Sequence, residues 1–297
     1  MNRPFEGKRF LLTGATGFIG RVLLKRLKEN GAFVFSLARG GADSIECDLR
    51  DPEMTRRAIG AKPFDGVFHL AAAGVTPGRG LNEESIQWNE EMTVNLLLAL
   101  EEISPCPVIV AGSWTEYGVL ENGIASEEAE CHPLSLYGRS KLRSTQAACA
   151  WSIRTQRPLT VLRFFSVYGA GEPPHRLGPT IISALQRNEA PNLGLPDQIR
   201  DFVYVDDVAE GCIRALALQE PGLLLNVGTG IGTTVRDYSD LIRSEMHSSI
   251  APIWGRGEPR PWDVQAVVAR TDRLKEKLGW IPQILPAEGV YRMLRSL

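Results

Sequence analysis

Lys8-Arg9-Phe10-Leu11-Leu12-Thr13-Gly14-Ala15-Thr16-Gly17-Phe18-Ile19-Gly20 joins a short apolar run to a glycine-rich turn. Residues 8–12 read as a buried strand, and beyond the turn Val22, Leu23, Leu24 and Leu27 repeat at helical spacing. Three glycines, three residues apart, therefore fall between a strand and a helix. Gly14 permits a tight turn without a Cβ clash. Gly17 lets a backbone approach a pyrophosphate, and Gly20 lets the helix pack close to the strand. The helix N-terminus offers unpaired N–H groups and a partial positive charge to phosphate. Ordinary strand-to-helix turns also carry such triplets, but the order strand, turn, helix strengthens the dinucleotide-binding reading.

Further strand-like runs at 32–37, 66–72, 107–111 and 159–164 alternate with helical patterns. That alternation predicts an α/β protein with a parallel, doubly wound sheet, whose ligands bind beyond the carboxyl ends of the strands. From about Tyr168 the texture changes, with Pro173, Pro174, Pro179, Pro191 and Pro196 set among glycines. We expect a dinucleotide-binding domain over 1–168, with 203–228 returning to it. Segments 169–202 and 229–297 are expected to form a smaller lobe of loops and short helices. No flexible linker separates the two, so a shared cleft is expected.

A net charge of −2 over 297 residues gives no bulk attraction to nucleic acid or membrane. No apolar stretch is long enough to span a bilayer, and residues 1–8 lack the apolar core of a secretion signal. The five cysteines are odd in number, scattered and without metal-ligand spacing. They read as reduced thiols in a cytoplasm, and no metal is expected.

Tyr137 and Lys141 are four residues apart, in a helix expected to start near a capping Ser135. An i, i+4 pair shares one helix face. A phenol is a poor base at neutral pH, but a nearby ammonium stabilises phenolate, so the pair can exchange a proton with a hydroxyl or ketone. Such pairs also arise by chance. Ser113 adds weight: it lies at the carboxyl end of the run 107–111, where its hydroxyl can bond the oxygen that Tyr137 protonates. It can equally be a small polar residue ending a strand.

Seven strings in order, together with one set of three residues, give a resemblance along nearly the whole chain. Residues 13–20, His69-Leu70-Ala71-Ala72, the helix-like run 89–99, the set Ser113, Tyr137 and Lys141, Arg163-Phe164-Phe165-Ser166-Val167-Tyr168-Gly169, the block 200–209, Asn226-Val227-Gly228-Thr229-Gly230 and Leu278-Gly279-Trp280 carry it. The chain resembles the extended short-chain dehydrogenases/reductases, in the nucleotide-sugar epimerase, dehydratase and reductase group. The resemblance implies a Rossmann-type sheet with a C-terminal substrate-binding lobe. It implies Tyr137 as acid/base, Lys141 holding the nicotinamide ribose, and Ser113 orienting the sugar oxygen. The cofactor surface it implies comprises Gly14, Thr16, Gly17, Phe18, Ile19 and Gly20, then Leu70, Ala71, Ala72, Asn89 and Phe164, with Asp48 and Leu49 by the adenine. Arg200 and Arg260 would grip the nucleotide diphosphate and Asp263 a ribose, with Ser113, Trp114, Thr115 and Ser166 on the sugar side.

Departures from the family pattern narrow the reaction. An acid is absent near Ala38 and Arg39 follows, which favours NADP, with NAD the alternative. Trp114 and Thr115 stand where dehydratases carry an Asp-Glu pair, which argues against a 4,6-dehydratase. The string Gly112-Ser113-Trp114-Thr115-Glu116-Tyr117-Gly118 instead resembles 4-keto-6-deoxy sugar nucleotide reductases. Ser166 replaces an asparagine common in epimerases. The expected function is thus NAD(P)-dependent 4-keto reduction of a nucleotide-diphosphate sugar. A 4-epimerase with tightly held NAD is the rival, and a non-catalytic cofactor-binding protein is more remote. A homodimer is expected through the helix after Asn89 and the helix of Tyr137, with Leu96, Leu97, Leu100, Ala147, Ala148 and Trp151 offering apolar surface; core-facing packing is the alternative for about half of them.

Overall fold

The computed structural model describes residues 3–40, 44–75, 82–256 and 263–297. In chain order the elements begin β1 (Arg9–Thr13), α1 (Phe18–Glu29), β2 (Phe33–Ala38), β3 (Ile45–Glu46), α2 (Pro52–Ile59), β4 (Gly66–His69) and α3 (Trp88–Leu100). There follow β5 (Val108–Ser113), a 3-10 turn at Trp114–Glu116, β6 (Ile124–Ala125), α4 (Leu136–Thr155), β7 (Leu159–Phe164) and β8 (Ser166–Tyr168). Next come α5 (Leu177–Gln186), β9 (Asn192–Leu193), β10 (Ile199–Arg200), β11 (Phe202–Tyr204), α6 (Val205–Ala215) and β12 (Leu223–Val227). The chain ends with β13 (Thr233–Thr234), α7 (Val235–Glu245), β14 (Ile253–Trp254), β15 (Ala266–Ala269), α8 (Asp272–Leu278) and α9 (Pro286–Arg295).

Seven strands form the main sheet in the order β12-β7-β5-β4-β1-β2-β3. The pairs β1–β2, β1–β4, β2–β3 and β4–β5 are all parallel. Strands covered on both faces must be apolar throughout rather than alternating. Accordingly every residue of β4 and β7 is buried. The chain moves outward from β1 to one side through β2 and β3 and to the other through β4 and β5. The crossover reverses between β1 and β4, and that reversal is where such sheets take their ligand.

Two compact units divide the chain. One comprises residues 1–116, 135–163 and 209–225; the other comprises 117–134, 164–208 and 226–297. The second holds more sheet than the loops and short helices expected from sequence. It has a four-stranded sheet, β13-β10-β15-β6, and the pairs β11–β8 and β14–β9. These strands are two to four residues long, too short for a period of two to show. Tyr168, Phe202 and Tyr238 pack there ring on ring, the last two stacked at 4.1 Å.

The apolar surface named for a dimer also needs correcting. Leu96, Leu97, Leu100, Ala148 and Trp151 are buried within the chain itself, because α3 and α4 pack against one another and on the core. The outward groove is lined by Val94, Leu98, Ala147 and Ala150, with Leu97 and Trp151 beneath. Leu98 is half exposed, at 49%. Among the described residues no helix is long and apolar enough to cross a membrane.

Candidate active site

The glycine turn lies at the reversal of the sheet. Gly14 has φ +75°, and a Cβ there would sit 2.6 Å from the Ala71 nitrogen in the loop after β4. A Cβ on Gly20 would sit 2.0 Å from the Gly14 carbonyl oxygen, so only glycine lets α1 start this close to the turn. Gly17 is the N-cap of α1, and no side chain caps that end. A Cβ on it would meet Gly14 O at 3.2 Å and no other non-neighbouring atom within 4 Å. Thr16 and Gly17 are exposed, while Phe18 and Ile19 are half-buried. An uncapped helix end with a bare, exposed glycine fits a phosphate group, so these residues suit the diphosphate of a dinucleotide.

The loop after β4 is fixed from both sides. Leu70 N–H donates to Thr13 O at 3.2 Å, and Ala71 N–H donates to Thr13 Oγ1 at 3.2 Å. Asn89 Oδ1 accepts from Ala73 N–H at 2.7 Å, and its Nδ2 donates to Ser140 Oγ at 2.9 Å. Asn89 thereby ties this loop to α4. Ala72 lies within the same loop.

Beyond β2, Arg39 is exposed and its charge bears on Asp48. Arg50 grips the Asp48 carboxylate with Nε at 3.1 Å and Nη2 at 2.6 Å. That grip holds the Asp48 carboxyl below its ordinary range. Leu49 is buried, and its carbonyl accepts from Asn95 Nδ2 at 2.9 Å.

Ser113 is the last residue of β5, which runs two residues further than the sequence predicts. Its Oγ lies 2.8 Å from Thr115 Oγ1 and accepts from Thr115 N–H at 3.2 Å. The helix α4 begins where expected: Ser135 Oγ accepts from Gly138 N–H at 2.9 Å. Tyr137, half-buried, and Lys141, buried, therefore fall on one face a turn apart. That face meets β5. Lys141 Nζ donates to Ala111 O at 2.5 Å, two residues before Ser113. Burial pulls the Lys141 ammonium below its ordinary pKa, and the Glu116 carboxylate opposes that pull. An ammonium, a phenol and a hydroxyl on adjoining elements can together move one proton to or from a substrate oxygen.

In the second unit Phe164 is buried, Trp114 and Thr115 of the first being half-buried. Ser166 begins β8, its N–H donating to Asp201 O at 2.9 Å. Arg200 is 9% exposed, its Nη1 donating to Ile199 O at 2.9 Å. Burial lowers its pKa, and the neighbouring Asp263 carboxylate raises it. Arg260 lies outside the described residues.

Sequence reasoning passed lightly over Glu116. Its side chain is wholly buried and pairs with Arg163 Nε at 2.9 Å. The one signal lay in Arg163, a lone charge within the otherwise strand-like run Leu159-Thr160-Val161-Leu162-Arg163-Phe164. Nothing in the spacing shows that the two meet.

A glycine turn at the sheet reversal, Ser113 at the end of β5, and Tyr137 and Lys141 on the helix that packs on β5 make the arrangement of an extended short-chain dehydrogenase/reductase. Residues 10–228 match the model of the NAD dependent epimerase/dehydratase family, and the chain belongs to that family. A dTDP-6-deoxy-L-talose 4-dehydrogenase (NAD(P)(+)) of Kitasatospora kifunensis is 31% identical, over 95% of this chain and 93% of that protein. A UDP-glucose 4-epimerase of Azospirillum brasilense is 28% identical over 97% and 91%. Among solved structures, MoeE5 in complex with UDP-glucose and NAD superposes with TM-score 0.85 at 29% identity, covering 97% of this chain and 98% of that one. The Thermotoga maritima UDP-glucose 4-epimerase with UDP-glucose gives TM-score 0.87 at 26% identity, with the same coverage. The chain is an NAD(P)-dependent enzyme of the short-chain dehydrogenase/reductase type.

Proposed function

We propose that this enzyme reduces the 4-keto group of a nucleotide-diphosphate sugar, with NADP as its preferred cofactor. The observation that carries the reading is the set Ser113, Tyr137 and Lys141 beside Trp114 and Thr115, where the acid pair of a dehydratase is missing. The 31% identity to a 4-dehydrogenase named for NAD(P)(+) supports a net redox reaction. The exposed Arg39 after β2, with no carboxylate at Ala38, supports an extra phosphate on the cofactor ribose.

Gly14, Gly17 and Gly20 would hold the cofactor diphosphate, and Lys141 the nicotinamide ribose. The bound nicotinamide supplies the hydride. Tyr137 donates its phenolic proton to the carbonyl oxygen, Ser113 hydrogen-bonds that oxygen, and Lys141 steadies the phenolate left behind. Arg200 and Asp263 are assigned to the nucleotide portion, Arg200 because its fork suits phosphate oxygens. The five cysteines, odd in number and scattered along the chain, support a reducing, cytoplasmic setting.

Tyr137→Phe tests the assignment. Turnover of a dTDP-4-keto-6-deoxyhexose should fall by about 10²- to 10⁴-fold while NADPH binding is retained. Near wild-type rates in that variant would refute it.

The 4-epimerase reading stands second, because several relatives are named UDP-glucose 4-epimerases. A homodimer through the groove of Val94, Leu98, Ala147 and Ala150 completes the proposal.

A further inference from the structure

Beneath the Ser113 turn lies a carboxylate that no step above uses. Glu116 Oε1 accepts from Ser113 N–H at 2.8 Å and from Thr145 Oγ1 at 3.1 Å. Its Oε2 accepts from Arg163 Nε at 2.9 Å. Both side chains are at most 3% exposed. Gly112 has no side chain because there is no room: a Cβ would press on Arg163 Cγ at 3.0 Å and Glu116 Oε1 at 3.1 Å. One carboxylate thus ties the end of β5, the face of α4 and β7 together.

We propose that Glu116 is a positioning residue for the reaction: it fixes Ser113 through the backbone and sets a negative field under Lys141, with Arg163 balancing its charge. A purely structural pair would be replaceable by an apolar one at little cost to the site. Here the carboxylate does two things an apolar group cannot. It accepts the N–H of the residue whose hydroxyl is to meet the substrate, and it opposes the desolvation of the Lys141 ammonium. Other titratable groups lie around this pair. His69 on β4 feels Lys141 but is held neutral by burial, its pKa pushed down to about 3. Tyr137 lies one turn back on α4, and the Cys149 thiol, raised by burial to about 11, feels both Arg163 and Glu116.

The proposal rests on Tyr137 and Lys141 being the acid/base pair, and the test separates the two. The readout is the phenolate absorbance of the full-length enzyme near 295 nm against pH, with the Tyr137→Phe spectrum subtracted. Turnover of NADPH with a dTDP-4-keto-6-deoxyhexose is followed over the same range. Glu116→Gln keeps an acceptor for Ser113 and Thr145 but removes one negative charge. The Tyr137–Lys141 pair should then release its first proton about one pH unit lower, and the alkaline limb of kcat/KM should move with it. Arg163→Met leaves the carboxylate unbalanced and should move both the opposite way. The E116Q/R163M double variant should return them near wild type. Either single variant therefore suffices if the other does not fold. An unmoved titration in the folded variants would overturn the proposal while leaving Tyr137 in place. Turnover surviving Tyr137→Phe would instead remove the site on which it rests.

Discussion

His69 stands in a line of buried hydroxyls behind the glycine turn. Its Nδ1 lies 2.8 Å from Thr13 Oγ1 and its Nε2 lies 3.1 Å from Thr93 Oγ1. Thr93 donates to Asn89 O at 2.7 Å, so it accepts from an Nε2–H, and Thr13 donates to Nδ1 while accepting from Ala71 N–H. That tautomer assignment follows from the bonding pattern. Burial holds the imidazole neutral, lowering its pKa from 6.5 to about 3. The unfolded chain takes up a proton below pH 6.5 and the native state does not. The stability tied to His69 is therefore full above 6.5 and is lost as pH falls toward 3. Between pH 7 and pH 5 the loss should be about 2 kcal/mol. Denaturant titrations at the two pH values should show this slope in the wild type and lack it in His69→Gln. An equal slope in both would contradict the account. Residues of this kind were poorly legible. The glycines, Ser135 and the Tyr137–Lys141 spacing act within one turn or one helix and can be read locally. His69–Thr93 and Glu116–Arg163 join residues 24 and 47 apart, and only the topology makes them neighbours.

Elements followed the same rule of locality. β1, β2, β4, β5 and β7 were legible because buried parallel strands are continuous apolar runs; β7 spans the expected run, and the ends of the other four are displaced by at most three residues. The short strands of the second unit were not legible, because two residues carry no pattern. α3 and α4 show a subtler error. Their apolar positions were correctly seen, but a helix apolar on much of its surface does not reveal which residues face its own core. The face left outward centres on Leu98, 49% exposed. If two copies pair there, Leu98→Glu should convert a dimer to a monomer at micromolar concentration in sedimentation, with Tyr137-dependent turnover still measurable. A wild-type monomer, or an unchanged dimer in the variant, would rule that surface out.

At the scale of the whole molecule, the family and the parallel, doubly wound class of the sheet were both visible in the string of motifs, because several of those motifs sit at strand ends, where such sheets take their ligands. The direction of the chemistry was less visible. Reductase and epimerase share Ser113, Tyr137 and Lys141, and relatives named for both activities cover at least 95% of this chain. What separates them is whether the cofactor is consumed: a reductase gives up its hydride for good, whereas an epimerase takes one from the sugar and returns it. The most direct measurement mixes the purified protein with NADPH and a dTDP-4-keto-6-deoxyhexose and follows absorbance at 340 nm alongside product analysis. The account predicts one NADPH consumed per keto sugar reduced, with the oxidised cofactor released. No net loss of NADPH, together with conversion of UDP-glucose to its 4-epimer by cofactor retained through purification, would contradict it.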